Sequence, residues 1–400
     1  MTKQYRALIT AEVLLWARTR INMPLEIAAK KLDVEPERLA AWERGEDYPS
    51  FSKAKDIARV YKRPLAIFYL PEPPDATDML HDFRRLPDMV RVGPSSALLL
   101  EIERAEIQRS IALQLLPASE RDFDYLDTIS LDDDPERVGE QIRGLLNITL
   151  EDQYEWKGDR SLAFRHWKDR IERLHVLVLQ TTHIRGEGFE LEEARGFSIG
   201  ESALPVIMIN AKDAPAGRIF TLLHEFAHLL LNSTGICDLL EVRRPTTQEQ
   251  QIEVFCNRVA AAALVPAKAL VAQPTTQRHG NAEEWTEDEI NRLARTFSVS
   301  NDSMVRRLAT LGFTTVAFYS RKHAEYQDLY AKLRLQPKQD KRVPYELLVV
   351  RRNGVAFTRL VLEAYYQDRI TLNKVASYLG ISLKTMAKVE HAAFANLVVD

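Results

Sequence analysis

Residues 221–231, TLLHEFAHLLL, constrain this chain more than any other stretch, because two histidines and a glutamate interrupt an apolar run that otherwise reads as a plain buried helix. His224 and His228 are four residues apart, so on a helix their rings share one face and reach a common metal ion. Glu225 lies on a neighbouring face, where its carboxylate meets a water at that ion as general base and takes no coordination place. Leu222, Leu223, Phe226, Leu229 and Leu230 bury the remainder. Two imidazoles and a carboxylate in such surroundings are costly to desolvate without a compensating ion. The bare HEFAH pattern also fits a helix whose histidines are satisfied by hydrogen bonds. A third ligand decides between the two, since catalytic zinc takes three protein ligands and leaves a fourth position open.

Leu231 stands where the metzincin continuation needs a glycine, so the third ligand comes from elsewhere. Residues 246–266, TTQEQQIEVFCNRVAAAALVP, read as a second helix, started by Thr246 or Thr247 with Glu249 or Gln250 in capping-box position and stopped by Pro266. Glu253 is its acidic candidate, with Cys256 and Asn257 on the same face and the small residues Ala260–Ala263 allowing close packing on the first helix. Asp238, Glu241 and Glu249 remain alternatives. Cys256 is read as a small buried thiol rather than a ligand.

The succession PVIMINAKDAPAGRIFTLLHEFAHLLLN, EVFCNRVAAAALVP and LARTFSVSNDSMVRRLATLG, behind an N-terminal helix-turn-helix pattern, resembles the ImmA/IrrE zinc endopeptidases, often fused to an XRE-type helix-turn-helix domain. The resemblance implies His224, His228 and Glu253 as ligands of Zn2+ and Glu225 as the catalytic base. It also implies a protein substrate, a helix-turn-helix transcriptional repressor whose cleavage relieves transcription after stress or induction. A reading from another class is a DNA-binding regulator or antitoxin-like protein whose zincin domain senses or binds without cleaving.

Four hundred residues exceed one ordinary core and predict two or three domains. No stretch approaches the length of a membrane helix, and the N-terminus has no signal-peptide core, so a cytoplasmic location without membrane contact is expected. The two cysteines, Cys237 and Cys256, suit a reducing compartment. The net charge of −3 is unevenly spread: residues 1–70 carry +4, residues 321–400 carry +6 and the middle −13. Basic ends around an acidic centre imply different partners for different parts.

The expected fold class is mainly α with a small β-sheet (α+β), in five segments. Residues 1–75 form an XRE-like helix-turn-helix domain, 76–150 a helical connecting region that includes DFRRLPD (82–88) and a helix over 95–115, and 151–275 a zincin-like metallopeptidase domain. Residues 276–320 form a helical extension packed on it, and 321–400 a C-terminal helical, helix-turn-helix-like region. HVLVLQ, GFSIG and PVIMIN read as strands of one sheet, with Gly196–Gly200 the candidate edge for an extended peptide. The polar stretch 273–288 reads as a mobile loop. His81, His166, His183, His279, His323 and His391 read as solvated.

AAKKLDVEPERLAAWERG places a third helix where it would enter the major groove, but Glu35 and Glu37 stand at the end that approaches phosphates. Lys30, Lys31, Arg38 and Arg44 are the candidate DNA contacts, all to phosphates; contact with the protein substrate or a purely structural role is the other reading of this domain. A second such pattern, ITLNKVASYLGISLKTMAKVE from Ile370, stands in the +6 segment and fits a second nucleic-acid module, but Tyr378, Leu379, Ile381 and Leu383 mostly read as core, which puts the structural reading ahead.

Overall fold

The computed structural model describes residues 5–74, 94–117, 121, 125, 128–181, 188–233, 235–237, 247–280, 282–335 and 343–394. The chain divides into two units, Met1–Glu106 and Ile107–Asp400. The segment DFRRLPD, His81, His183, Asp238 and Glu241 lie outside the described residues.

In the first unit, α1 (Ala11–Arg20), α2 (Leu25–Leu32), α3 (Pro36–Glu43) and α4 (Phe51–Val60) surround a core of Val13, Leu14, Leu39, Trp42, Ile57 and Phe68. A short turn of helix at Leu65–Tyr69 closes the bundle. Arg18 forks onto Glu43 at 2.7 and 2.8 Å, tying α1 to α3. The N-terminal half of α5 (Ser96–Leu115) belongs to this unit, where Glu103 receives Arg63 at 2.7 and 2.8 Å.

The second unit carries α6 (Pro135–Leu145), α7 (Leu150–Glu155) and α8 (Arg160–Glu172), then a four-stranded sheet interleaved with two long helices. β1 is Leu177–Gln180, β2 Gly196–Ile199, β3 Val206–Ile209 and β4 Gly235–Cys237; α9 (Pro215–Leu230) precedes β4 and α10 (Gln248–Leu264) follows it. The order is β1-β3-β2-β4, with β1 parallel to β3 and the other pairs antiparallel. β2 is therefore internal, which corrects the expectation that Gly196–Gly200 is an edge. The cause is β4, three residues whose short GIC pattern carries no alternation signal of its own.

α9 starts with Pro215 in its first turn and is buried on nearly every side, because it lies between the sheet and helices α8 and α10. α10 is capped by Thr247, whose hydroxyl accepts from the Gln250 amide. Its alanines press against α6: a Cβ on Gly139 would lie 2.7 Å from Ala262 Cβ. Thus α6, within the expected connecting region, shares the core of α9 and α10.

Beyond α10 lie α11 (Ala267–Val271), α12 (Pro274–His279), α13 (Glu287–Thr296) and α14 (Asn301–Thr310). The stretch expected to be a loop is thus largely ordered: Pro274 opens a helical turn, Trp285 is buried, and Thr286 and Glu289 form a capping box. His279 is not a solvated histidine, since it stacks on Trp285 at 3.7 Å and meets Glu289 at 3.1 Å. His323 similarly meets Asp302 at 2.8 Å, and His166 stacks on Trp156. Finally α15 (Val316–Leu335), α16 (Tyr345–Asn353), α17 (Val355–Tyr366), α18 (Leu372–Leu379) and α19 (Met386–Phe394) complete the chain. Leu383, expected in the core, is 48% exposed.

Candidate metal centre

The helical spacing of His224 and His228 does what it predicts: both Nε2 atoms aim at one point and stand 2.9 Å apart. Glu253 reaches the same point from α10, with Oε2 3.2 Å from His224 and Oε1 3.3 Å from His228. Tetrahedral zinc with bonds of about 2.0–2.1 Å separates its ligand atoms by about 3.3 Å, so these three edges are of the size such an ion requires. Two imidazole nitrogens at this distance need a proton or a cation between them. His224, His228 and Glu253 are the group of metal-binding type among the described residues.

The surroundings fix the donors. The chain leaves α9 through Asn232, whose left-handed backbone (φ 51) turns it back so that the Ser233 amide bonds the His228 carbonyl at 2.9 Å. That return sets Ser233 Oγ 3.0 Å from His228 Nδ1. The Ser233 hydroxyl donates to the His228 carbonyl at 3.4 Å, so it accepts from Nδ1–H and leaves the Nε2 lone pair for the cluster. Asn257, one turn beyond Glu253, lies alongside His224. The His224 Nδ1 and both Asn257 amide atoms are buried without a well-formed hydrogen bond among the described residues.

Burial lowers the His224 pKa against the pull of Glu253, which keeps that imidazole neutral. Burial also opposes charge on His228, but Cys256 and Glu253 outweigh it and raise the pKa. On Glu253 the effect of burial is overcome by the two imidazoles, which hold the carboxyl well below the usual range. An ionised carboxylate facing two nitrogen donors is the donor set a divalent cation takes.

Glu225 is fully buried, and its carboxylate lies over β2, where a Cβ on Gly196 would come within 3.5 Å of Oε1. The same Cβ would sit 2.7 Å from Met208 O and from Thr221 Cγ2, so only glycine lets α9 approach the sheet this closely. Glu225 stands beside the cluster without joining it. Cys256 is buried next to His228 and outside the ligand set, where burial raises its thiol pKa. Of the acidic alternatives, Glu249 stays exposed in the first turn of α10.

The candidate DNA contacts Lys30, Lys31, Arg38 and Arg44 are all exposed. Arg38 lies over the Trp42 ring at 5.6 Å, and Arg44 forks onto Glu46 with two bonds of 2.7 Å. Glu35 and Glu37 remain exposed at the start of α3. Sequence reasoning missed Ser233, and it read Gly196 only as part of a candidate edge strand. Asn232 directly after the helix was the readable signal for Ser233, since a left-handed residue there folds the next one onto the last turn.

Residues 173–309 match the peptidase M78 family, described as the IrrE N-terminal-like domain. Residues 14–68 match a helix-turn-helix family. No curated protein matches the chain.

Proposed function

Because the chain carries an M78 peptidase domain behind a helix-turn-helix module of the DNA-binding kind, we propose that it is a zinc-dependent endopeptidase acting on a regulatory protein, a helix-turn-helix repressor. The observation that carries this reading is the convergence of His224, His228 and Glu253 beside the buried Glu225. We assign the three as zinc ligands and Glu225 as the base. Zinc, when bound, supplies polarisation of the scissile carbonyl and a lowered pKa for the attacking water. Glu225 takes that water's proton and hands it to the departing amine nitrogen. Ser233 holds the His228 imidazole in the orientation a ligand needs, and Asn257 lies alongside His224. Gly196, by its lack of a side chain, keeps Glu225 seated over the sheet.

A peptide substrate enters as an extended strand along β4, which is an edge among the described residues and lies one strand from Gly196. Backbone pairing at such an edge tolerates many side chains. No helix among the described residues is long and apolar enough to cross a membrane. The N-terminal module meets DNA through phosphates, from Lys30, Lys31 and Arg38, with Arg44 competing between Glu46 and the duplex.

The test incubates the purified protein, zinc-loaded or chelated, with helix-turn-helix repressors encoded near its gene and resolves the fragments. Zinc-dependent fragments that vanish in Glu225→Gln support the reading. Protein that folds but takes up no zinc at micromolar concentration removes it.

A further inference from the structure

The turn that joins α2 to α3 also joins α13 to α14 and α18 to α19, as it does other helix pairs such as α1–α2 and α6–α7. In α2–α3, in α13–α14 and in α18–α19 a helix ends on a left-handed residue, Asp33 (φ 52), Ser298 (φ 56) and Gly380 (φ 65). The next residue, Val34, Val299 or Ile381, returns its amide to the carbonyl of an alanine five positions back, Ala29, Ala294 or Ala376, at 3.1, 2.9 and 3.0 Å. Ala28, Leu293 and Val375 are buried at one shared position, and Leu32, Phe297 and Leu379 at another. A second helix then starts behind Glu35, Ser300 or Ser382. In the third copy it enters through a single turn at Leu383–Thr385.

What differs is the outward face of each second helix. In the first copy it opens with the exposed carboxylates Glu35 and Glu37. In the second it is consumed by packing: Arg307 is buried against Val265 O at 2.8 Å and pairs with Glu136, while Asp302 is held by His323 of α15. In the third, Ser382, Leu383, Lys384, Ala387 and Lys388 are all exposed. Lys384 in the Leu383–Thr385 turn and Lys388 on α19 are both exposed, four residues apart, and Lys374 is exposed on α18. Glu390, the acid on α19, is engaged by the Tyr366 hydroxyl at 2.5 Å.

We propose that α18–α19 is a second helix-turn-helix that binds duplex DNA, with the start of α19 in the major groove. Lys374, Lys384 and Lys388 meet phosphates, and they stand in the +6 segment of the chain. Ser382 offers a hydroxyl to a base edge, and the exposed Leu383 fits a thymine methyl, an apolar contact the major groove provides. The equivalent positions in α3 are Glu35 and Pro36, and Glu37 stands where Lys384 does, so the C-terminal copy carries the chemistry that the N-terminal copy lacks.

The test measures binding of the full-length protein to a fluorescein-labelled random duplex of about 30 base pairs, over salt from about 50 to 200 mM. In Lys384→Gln/Lys388→Gln the salt slope should fall by about two and the affinity near 100 mM by roughly tenfold or more, since each phosphate contact contributes about 0.9 to the slope. Lys30→Gln/Lys31→Gln should lose less. All four lysines are exposed, so circular dichroism and melting should match the unmodified protein. No binding by the unmodified protein at about 50 mM salt, unchanged binding by the C-terminal variant, or a larger loss in the N-terminal variant overturns the proposal.

Discussion

Two glycines on α6, five residues apart, should respond with opposite sign to the same substitution. Gly139 faces α10, where an added Cβ would lie 2.7 Å from Ala262 Cβ and Ala263 N and 2.8 Å from Ala262 C. Ordinary carbon contacts lie near 3.5–4.0 Å, and two of these neighbours are backbone, so the helices must part by up to about 1 Å. Overpacking of this kind costs about 1–3 kcal/mol, against which alanine recovers up to about 1 kcal/mol of helix propensity. Gly139→Ala should therefore lose about 0–2 kcal/mol. Gly144 is exposed, with nothing within 4 Å of an added Cβ. Gly144→Ala should gain up to about 1 kcal/mol. At about 2–4 °C per kcal/mol for a unit of this size, the two melting temperatures should differ by roughly 2–12 °C, with Gly144→Ala higher. Zinc content should be equal in both, because Glu253 lies about 13 Å along α10 from Ala262. Thermal melting of the zinc-loaded protein reads the difference. A Gly139→Ala protein that melts at or above Gly144→Ala would show that the α6–α10 contact does not hold α10 in place.

Glu225→Gln should keep zinc and fold yet lose about 10²- to 10⁴-fold in cleavage, whereas His228→Ala should lose zinc and cleavage together; equal zinc loss in both would make Glu225 a ligand. Chelation of the zinc should lower the melting temperature by roughly 5–10 °C, since saturation at a hundred times Kd adds about 2.7 kcal/mol, and an unchanged melt would mean that the site binds no ion in solution. Ser233→Ala frees His228 Nδ1 and should weaken zinc affinity about 10- to 100-fold in a chelator competition. Gly196→Ala should lower cleavage and melting temperature together, because its Cβ collides with Met208 O and Thr221 Cγ2 under Glu225; normal cleavage would place the base elsewhere.

The cluster of His224, His228 and Glu253 was legible because helix spacing converts directly into geometry. His224, Glu225 and His228 needed only the 3.6-residue period, and Glu253 needed a capped helix with small residues after it. What escaped depends on distant partners. The internal position of β2 is set by β4, which follows α9 in the chain. The order in residues 273–288 comes from Trp285 and His279 stacking in a segment whose composition is that of a loop. Leu383 was placed inside because its type suggested it, whereas it is exposed on the single turn that leads into α19.

The C-terminal helices also bear on which sheet edge is open. In β1 the Leu177 amide bonds Pro205 O and the Thr181 amide bonds Ile209 O, so residues in this alternation point toward β3 and Val178 points its carbonyl the other way. Gly354, at the corner between α16 and α17, sits over that carbonyl: a Cβ there would lie 2.9 Å from Val178 O, and its φ of 78 is one that glycine adopts freely. The corner is held by Asn353, which accepts from Gln108 at 2.6 Å and donates to Leu379 O at 3.0 Å, so α16 is tied to α5 and α18 within this unit. An exposed edge pairs with any extended chain, and a peptidase with two such edges would capture substrate strands where no chemistry is done. On the proposed reading, β1 covered by the Gly354 corner leaves β4, among the described residues, as the edge open to a peptide, and its Cys237 is paired with the Gly196 that has Glu225 above it.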